Sequence, residues 1–586
     1  MADSAYIDQY NIETTWSKRQ GVRIVKEELE GNISITNARA VKRALGRCIQ
    51  DFDTIDQAYD LFMFLLFSED RDMPIQSIAM QLGMLCTTDK VKAFSKGIYI
   101  VKMCAELTDL YHLDSRKEGE DLAWYVCPNF KLDKITRKRV KELQFLPPMK
   151  VIPRDWNSNT DGGWVHENQH IMLGKSIGKH NKYQAYDVIN KLQKVPFEID
   201  VDTYMFEKKT NHNMKKKPYL KVLNKYLGEE FYFVWRYDTR GRSYSSGYHL
   251  NIQSDEYSKA LLSFANKEMI TNIDNLYIAI AGHAGKDKLT WTERIKWAKS
   301  ITDFSTVEWE EPILGRKAVR ALNDALQSKK SGYMMSADAT SSGIQIMAAL
   351  SGCLDTAKFT NMIDPTTRVD VYSEMVKAMN DKLDTKVNRK TLKKCLMTYC
   401  YNSKATPKKL LSEEQLEEFY DSLDGLLSGA QDVLETINSA WDDTATEHSW
   451  TMPDGHKVIV PVIEYHDMVL EDEDLGDIPF RYYSKTPSDN YRSLGANICH
   501  SVDAYIAREM VRRCEFQLVH IHDAYLFSPD HLQDVANMYR TIVAEIADMD
   551  LLQHILREIT GDSNYTYSKY TDDLSSKILQ SEYMLS

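Results

Sequence analysis

The stretch Ser336-Ala-Asp-Ala-Thr-Ser-Ser-Gly-Ile-Gln345 constrains this chain more than any other. It follows Tyr333-Met-Met335, a short apolar run that reads as the end of a buried strand. It then turns through small residues into an apolar helical pattern at Ile344, Met347, Ala348 and Leu350. A lone acid leaving a strand, Asp338, suits a metal ligand whose carboxylate stands proud. Thr340, Ser341, Ser342 and Gly343 are small enough to let a bulky, charged substrate approach the backbone. The same residues also suit a plain helix N-terminus capped by Asp or Ser. A second acid and a triphosphate-binding helix are needed to decide between the two.

The second acid comes 185 residues later. Phe516-Gln-Leu-Val-His-Ile-His-Asp-Ala-Tyr-Leu-Phe527 alternates like a hairpin, with His522-Asp523 at its bend. Asp at a bend is ordinarily a turn former; here it is also a partner for Asp338 that only tertiary structure can bring close. The helix lies between them. Arg389-Lys-Thr-Leu-Lys-Lys-Cys-Leu-Met-Thr-Tyr-Cys-Tyr401 sets Arg389, Lys393 and Met397 at four-residue steps, so they track along one face and end near Tyr401. Cations spaced along a helix face meet the needs of a triphosphate, and an aromatic beyond them can close over base or sugar.

Other classes are excluded by composition. The chain has 586 residues and a net charge of −12, so nucleic-acid binding must rest on local basic patches. Its nine cysteines form no Cys-x-x-Cys pair, which argues against a zinc ribbon and for reduced thiols. The first residues, MADSAYIDQYNIE, have early acids and no apolar core, so no signal peptide is expected. No apolar run is long enough to span a membrane. A soluble, intracellular, globular protein is expected.

Along the chain, 1–146 reads as a helical domain, with helices over Asn37–Phe52, Ile55–Phe67, Ile75–Leu85 and Lys90–Tyr111. Pro147, Pro148, Pro153 and Asp161-Gly-Gly-Trp164 open a connecting region, 147–228, in which helix returns at Tyr183–Gln193. That region ends in seven lysines and no acid between Lys208 and Lys225, either a solvated face or a contact for a phosphate backbone. The aromatic strand Phe231–Tyr237 delivers Asp238-Thr-Arg-Gly-Arg242, whose arginines, Arg240 and Arg242, can fan toward one anionic surface that Lys259 could join. A structural Asp–Arg pair is the other reading. Helix is expected from Val371 to Leu383 and over 410–445, a turn at Trp450–Gly455, and strands over Val458–Leu470. His466–Asp477 then holds six acids and no Lys or Arg, and Asn497-Ile-Cys-His500 precedes a helix over Val502–Val511.

Two carboxylates, a cationic helix and a terminal aromatic make a nucleotidyl-transfer site. The chain resembles the single-subunit, bacteriophage-type (phage/mitochondrial) DNA-dependent RNA polymerases, in a short form. The resemblance rests on Asp238-Thr-Arg-Gly-Arg242, Asp338-Ala-Thr-Ser-Ser-Gly-Ile-Gln345, Arg389-x3-Lys393-x7-Tyr401-Asn-Ser403 and His522-Asp523. It also takes in Trp450-x-x-Pro-Asp-Gly455, His500-Ser501 and Ile578–Ser586, and so covers about 148–586 in order.

The resemblance implies an α+β, mostly helical right hand with a reduced thumb. The palm would be 229–367 and 501–586, and the fingers 368–500, including the promoter-loop equivalent. It implies DNA-templated RNA synthesis from ribonucleoside triphosphates, with two Mg²⁺ ions on Asp338, Asp523 and the Ala339 backbone. Arg389 and Lys393 would hold the triphosphate, with Lys393 and Tyr401 counted among the catalytic residues. Tyr401 and His500 would check the 2′-hydroxyl, and Tyr372 would lie near the nucleotide. Arg240, Arg242, Lys259 and Ser403 would contact DNA template or nascent RNA. The resemblance also implies the cytoplasm of an infected bacterial host.

The chain departs from the family in its short N-terminal region, in a thumb reduced to the residues between Val201 and Phe231, and in Asn402 where the family usually has Gly. The hairpin that would read promoter bases carries the acidic patch, whereas base readout usually needs Arg, Lys, Asn or Gln. Initiation on single-stranded or pre-melted DNA is therefore expected, or recruitment by a single-stranded-DNA-binding or other partner protein. The alternatives are a DNA polymerase of the related fold, and a primase-like or inactive polymerase scaffold.

Overall fold

The computed structural model describes residues 2–15, 18–29, 34–69, 71–118, 121–142, 146–174, 176–210, 223–247 and 250–586. Most of the lysine-rich segment, 211–222, lies outside the described residues. The fold is mixed α+β, about half helical with small sheets. It forms two compact units: Met1–Pro147 with Ile463–Ser484, and Pro148–Val462 with Lys485–Ser586. No described helix is long and apolar enough to cross a membrane.

The first unit is mainly helical. Its helices include Ile35–Gly46, Phe52–Phe67, Ile75–Gly83 and Lys90–Leu107. Three of them start where a side chain takes up the otherwise unpaired N–H groups of the first turn: Ser34 accepts from Asn37, Asp51 from Thr54, and Asp89 from Val91 and Lys92. Helix gives way to sheet earlier than the periodicity suggests. Tyr111–Glu118 is a strand paired antiparallel with Asp121–Pro128. Tyr111 and Leu113 on one strand and Trp124 and Val126 on the other are the alternating apolar positions that face the core.

The acidic hairpin, strands Ile463–Asp472 and Gly476–Lys485, belongs to this unit and is not a bare acidic loop. Leu475, Ile478 and Phe480 are part of its hydrophobic core, and Phe480 stacks on Phe94 with ring centroids 3.9 Å apart. Trp124 Nε1 donates to the Leu475 carbonyl at 2.7 Å. Lys102 Nζ sits 2.7 Å from Asp472 and also pairs with Asp474. Arg481 makes two bonds to Asp467, at 2.6 and 2.8 Å.

The second unit carries a three-stranded antiparallel sheet of Met335–Asp338, Ala524–Phe527 and Leu518–Ile521, with Ala524–Phe527 in the middle. Asp338 pairs in register with Ala524, and Ile521 pairs with the same residue from the other side. Met335 and Ala337 are buried while Ser336 and Asp338 face out, the period-two alternation of a strand covered on one face. Behind it, Ser342–Ser351 is buried from Ile344 through Ser351, packed among the helices Glu413–Ser439, Arg492–Arg513 and Leu532–Asp548. A helix enclosed on all sides has no use for a polar face, hence its run of Ile, Met, Ala and Leu. Met584–Ser586 adds a further edge beside Asp338: Ser586 N donates to the Asp338 carbonyl at 2.9 Å, and Thr340 N to the Met584 carbonyl at 3.0 Å.

Candidate active site

Asp338 and Asp523 meet. Ile521 and Ala524 are held in register across a two-residue turn, His522-Asp523, whose first residue has φ 58°. A histidine in the left-handed region is uncommon and strained, and such strain is kept where a turn aims a functional group. Ala339 N bonds the Asp523 carbonyl oxygen at 3.2 Å, so the two acid-bearing segments are directly stitched. Both carboxylates line one cavity of about 350 Å³. Asp338 is open to this cavity, yet protein encloses it enough to solvate its charge poorly. That burial, reinforced by the like charge of Asp523, raises its pKa to about 7.

The helix Arg389–Cys400 forms another wall. Asn388 caps it, accepting from Thr391 N at 2.9 Å. Leu392, Cys395, Leu396, Tyr399 and Cys400 are buried at helical spacing, which turns Lys393 and Met397 toward the cavity. Lys393 Nζ lies 5.4 Å from the Tyr372 ring centre, and Tyr372 and Tyr401 also line the cavity. Arg389 is not among the lining residues; its guanidinium is forked onto Asp370 at 2.6 and 2.9 Å. Just beyond, Asn402 has φ 61°, a region that Gly enters freely and Asn more readily than most side chains. Its amide bonds Asn438 at 2.6 Å. Ser403 is half-buried and lines no part of the cavity.

The arginine loop approaches from strand Val234–Tyr237. Arg242, which lines the cavity, donates twice to the buried Asp503, at 3.1 and 2.7 Å. Burial raises Asp503 to about 6 against the pull of Arg242. Arg240 is held by Asp238 and reaches His500 Nδ1 at 2.7 Å. His500 lies inside the long helix Arg492–Arg513, not ahead of it, with its ring 4.6 Å from that of Tyr401. Burial, with Arg242 and Arg240 nearby, lowers its pKa to about 2, so the ring is neutral. Nδ1 therefore accepts from Arg240, and the proton sits on Nε2. Lys259 is off the cavity wall but close enough for its charge to favour ionised Asp338.

Three lining residues, Asp287, Lys288 and Arg368, were not singled out from the sequence; His522 stood there only beside Asp523, and Ser586 only as the end of the stretch Ile578–Ser586. Ser586 Oγ accepts from Arg294 and from Arg368 Nε, the latter at 3.1 Å. Asp503 was missed too. It stands three residues after His500 on one helix face, a spacing that could have flagged it.

The donor set fits magnesium. Among the described residues no group of three or more His, Cys, Asp or Glu side chains is placed to hold a metal ion, so any ion here would rest on two carboxylates and on substrate or water oxygens. Two adjoining carboxylates in an open cavity match a hard cation that keeps waters and substrate oxygens in its shell. The Asp338 pKa is raised by burial first and by the like charge of Asp523 second, with Lys393 and Lys259 opposing the shift only in part, so a cation between the two carboxylates would favour their ionised forms.

Comparison with known proteins bears on the same residues. A family model for DNA-dependent RNA polymerase matches 270–454, the segment holding Asp338, Arg368, Lys393 and Tyr401. The chain is 26% identical over 310 residues to a probable DNA-directed RNA polymerase of Gelasinospora, covering 44% of this chain and 37% of that one. It is 21% identical to the DNA-directed RNA polymerase of Pseudomonas phage phiKMV, covering 40% and 41% of the two chains. It is 21% identical to the mitochondrial DNA-directed RNA polymerase of Schizosaccharomyces pombe, covering 60% and 39%. The chain thus spans about two fifths of the length of these curated relatives. The fungal and mitochondrial relatives overturn the expectation of an infected bacterial host's cytoplasm, and a phage-only reading with it. What stands is similarity: over 270–454 to the DNA-dependent RNA polymerase family model, and over parts of its length to fungal, mitochondrial and phage DNA-directed RNA polymerases.

Proposed function

We propose that this chain is a DNA-directed RNA polymerase that extends RNA along a DNA template by nucleotidyl transfer from ribonucleoside triphosphates. One observation carries the reading: Asp338 and Asp523, from distant parts of the sequence, face a single cavity whose other walls are cationic and aromatic. In this reading the unit Pro148–Val462 with Lys485–Ser586 is a right hand. Its palm is 229–367 with 501–586, its fingers run from 368 to the helix bearing His500, and 147–228 contributes a short thumb.

Two magnesium ions held by Asp338, Asp523 and the Ala339 backbone would lower the pKa of the attacking hydroxyl and neutralise the leaving pyrophosphate. The chain's own groups do the positioning. Lys393 neutralises charge on the triphosphate. Arg389, turned by Asp370, supports the same end. Tyr372 and Tyr401 bracket the nucleotide, and the Nε2–H of neutral His500 is free to donate to a 2′-hydroxyl. Arg242, oriented by Asp503, meets the template or hybrid, and Arg240, Lys259 and Ser403 are further nucleic-acid contacts in this reading. We also propose that the template enters single-stranded or pre-melted. Arg481, the side chain on the acidic hairpin best suited to reading bases, is held by Asp467.

The test is primer extension on an RNA–DNA scaffold, with ribo- and deoxyribonucleotides supplied separately. Template-dependent ribonucleotide addition supports the reading. Preferential deoxyribonucleotide addition would make the chain a DNA polymerase, and no addition of either would make it a scaffold.

A further inference from the structure

The cations in and beside the cavity are not equally committed. Arg242 is neutralised by Asp503 at 2.7 Å, Lys288 by Asp287 at 2.5 Å and Arg389 by Asp370 at 2.6 Å. Lys393 and Arg368 both line the cavity, and among the described residues no carboxylate makes an ion pair with either. Lys393 was expected from its helix. Arg368 lies on the loop before helix Val371–Asn380, where no periodicity marks it.

Arg368 is also held in place. Asn361, itself buried, grips the next residue from both sides: its Oδ1 accepts from Val369 N at 2.6 Å, and its Nδ2 donates to the Val369 carbonyl at 2.9 Å. Upstream, Asp364 fastens Thr366 and Thr367 with bonds of 2.6 to 2.7 Å. The guanidinium uses one edge, Nε, on Ser586 Oγ at 3.1 Å. Its Nη atoms make no hydrogen bond within the described structure, so a planar pair of donors remains on a braced, half-buried side chain. Burial disfavours its charge, and the nearby Asp287 and Asp370 offset this only in part, with Arg389 opposing them, so an arriving anion would further relieve the site.

We infer that Arg368 is a phosphate-binding residue, its two Nη groups taking the polyphosphate tail of the incoming nucleotide while Nε stays on Ser586. This rests on the polymerase reading and extends it: the tail is held by Lys393 as a point charge and by Arg368 as a fork.

The experiment compares wild type with Arg368→Ala, Arg368→Lys and Arg368→Gln. It measures KM and kcat for ribonucleotide addition, and equilibrium binding of inorganic pyrophosphate by calorimetry. Arg368→Ala is expected to raise KM about tenfold and weaken pyrophosphate binding about as much, the size of one lost charge-assisted contact. Arg368→Lys should recover part of both losses, and Arg368→Gln neither. If glutamine restores both as well as lysine does, Arg368 only braces Ser586 and the inference falls. It also falls if Arg368→Ala leaves KM and pyrophosphate binding within about twofold of wild type. A wild type that adds no nucleotide defeats the polymerase reading separately, and the calorimetric arm still decides whether Arg368 binds phosphate.

Discussion

Ala339 N donates to the carbonyl oxygen of Asp523 at 3.2 Å, so the backbone just past one acid is fastened to the residue bearing the other. Their relationship is set by main-chain bonding between strands, and side-chain chemistry can be altered without moving it. Asp523→Asn keeps shape and removes charge. Ribonucleotide addition should fall about a thousandfold or more, because the metal-holding charge is lost. The thermal unfolding midpoint should change little. Single-turnover extension beside a melting curve checks both, and near-normal addition would remove Asp523 from the chemistry.

Asp338 gives a stability test that needs no substrate. Its pKa is raised from 3.8 to about 7, by burial first and by Asp523 second. Between those values the folded protein keeps a proton that the unfolded chain releases. The folded state is then the better proton binder, and stability declines as pH rises through that window. Asp338→Asn cannot ionise and escapes the penalty. It should melt about 1–2 °C above wild type at a pH of about 8, with the carboxylate's partial solvation keeping the gap small, and no higher than wild type near a pH of about 4. The reverse order would show that the two acids do not repel.

His500 is neutral at any working pH, since burial and two arginines hold its pKa near about 2. With Nδ1 accepting from Arg240, only Nε2–H is left to recognise a hydroxyl. His500→Ala should therefore reduce the preference for ribo- over deoxyribonucleotides by about tenfold, the value of one hydrogen bond. The wild-type preference should stay flat between a pH of about 6 and about 9, since no titration of the ring intervenes. Competitive incorporation measures both, and a preference that rises and falls near a pH of about 6.5 would mean that His500 works as a cation.

The site was legible in the sequence wherever its chemistry is local. Asp338 at a strand exit, His522-Asp523 at a hairpin bend and Lys393 on a helix face each announce themselves through a pattern of neighbours. Arg368, Asp287 and Ser586 do not, because they owe their places to contacts between segments far apart in the chain. The same holds for the fold. Helix starts were marked by Ser34, Asp51 and Asp89, but the strand at Tyr111–Glu118 is charged enough to hide its alternation. The acidic hairpin showed its carboxylates and gave no sign of Lys102, some 370 residues away, which pairs with two of them.

That hairpin yields a prediction about the first unit. Phe480 fills the core against Phe94, whereas Lys102 meets its carboxylates at a partly exposed site. Phe480→Ala should cost about 3–5 kcal/mol and expose 463–484 to protease, while Lys102→Met should cost about 1 kcal/mol or less. Limited proteolysis and denaturant melts of the full chain compare the two, and equal effects would mean that charge, not packing, holds the hairpin.

The arginine loop depends on a pair outside the cavity. Arg508 and Asp454 are 1% and 2% exposed, joined at 2.6 and 3.0 Å, and Arg508 Nη1 also donates to the Gly241 carbonyl at 3.0 Å. Gly241 has φ 87°, and a Cβ there would come within 2.6 Å of Arg508 Nη1 and 2.8 Å of His456 Nε2. Asp454→Asn leaves a buried guanidinium without its counter-ion, which should destabilise by about 3–5 kcal/mol. Gly241→Ala adds backbone strain and a clash, about 1–3 kcal/mol, directly between Arg240 and Arg242. If the loop's role is to aim Arg242, Gly241→Ala should weaken binding of an RNA–DNA hybrid more than it raises KM for nucleotides. Fluorescence anisotropy on the hybrid, read beside extension kinetics, separates the two. Equal losses in both would place the loop at the nucleotide rather than at the template strand.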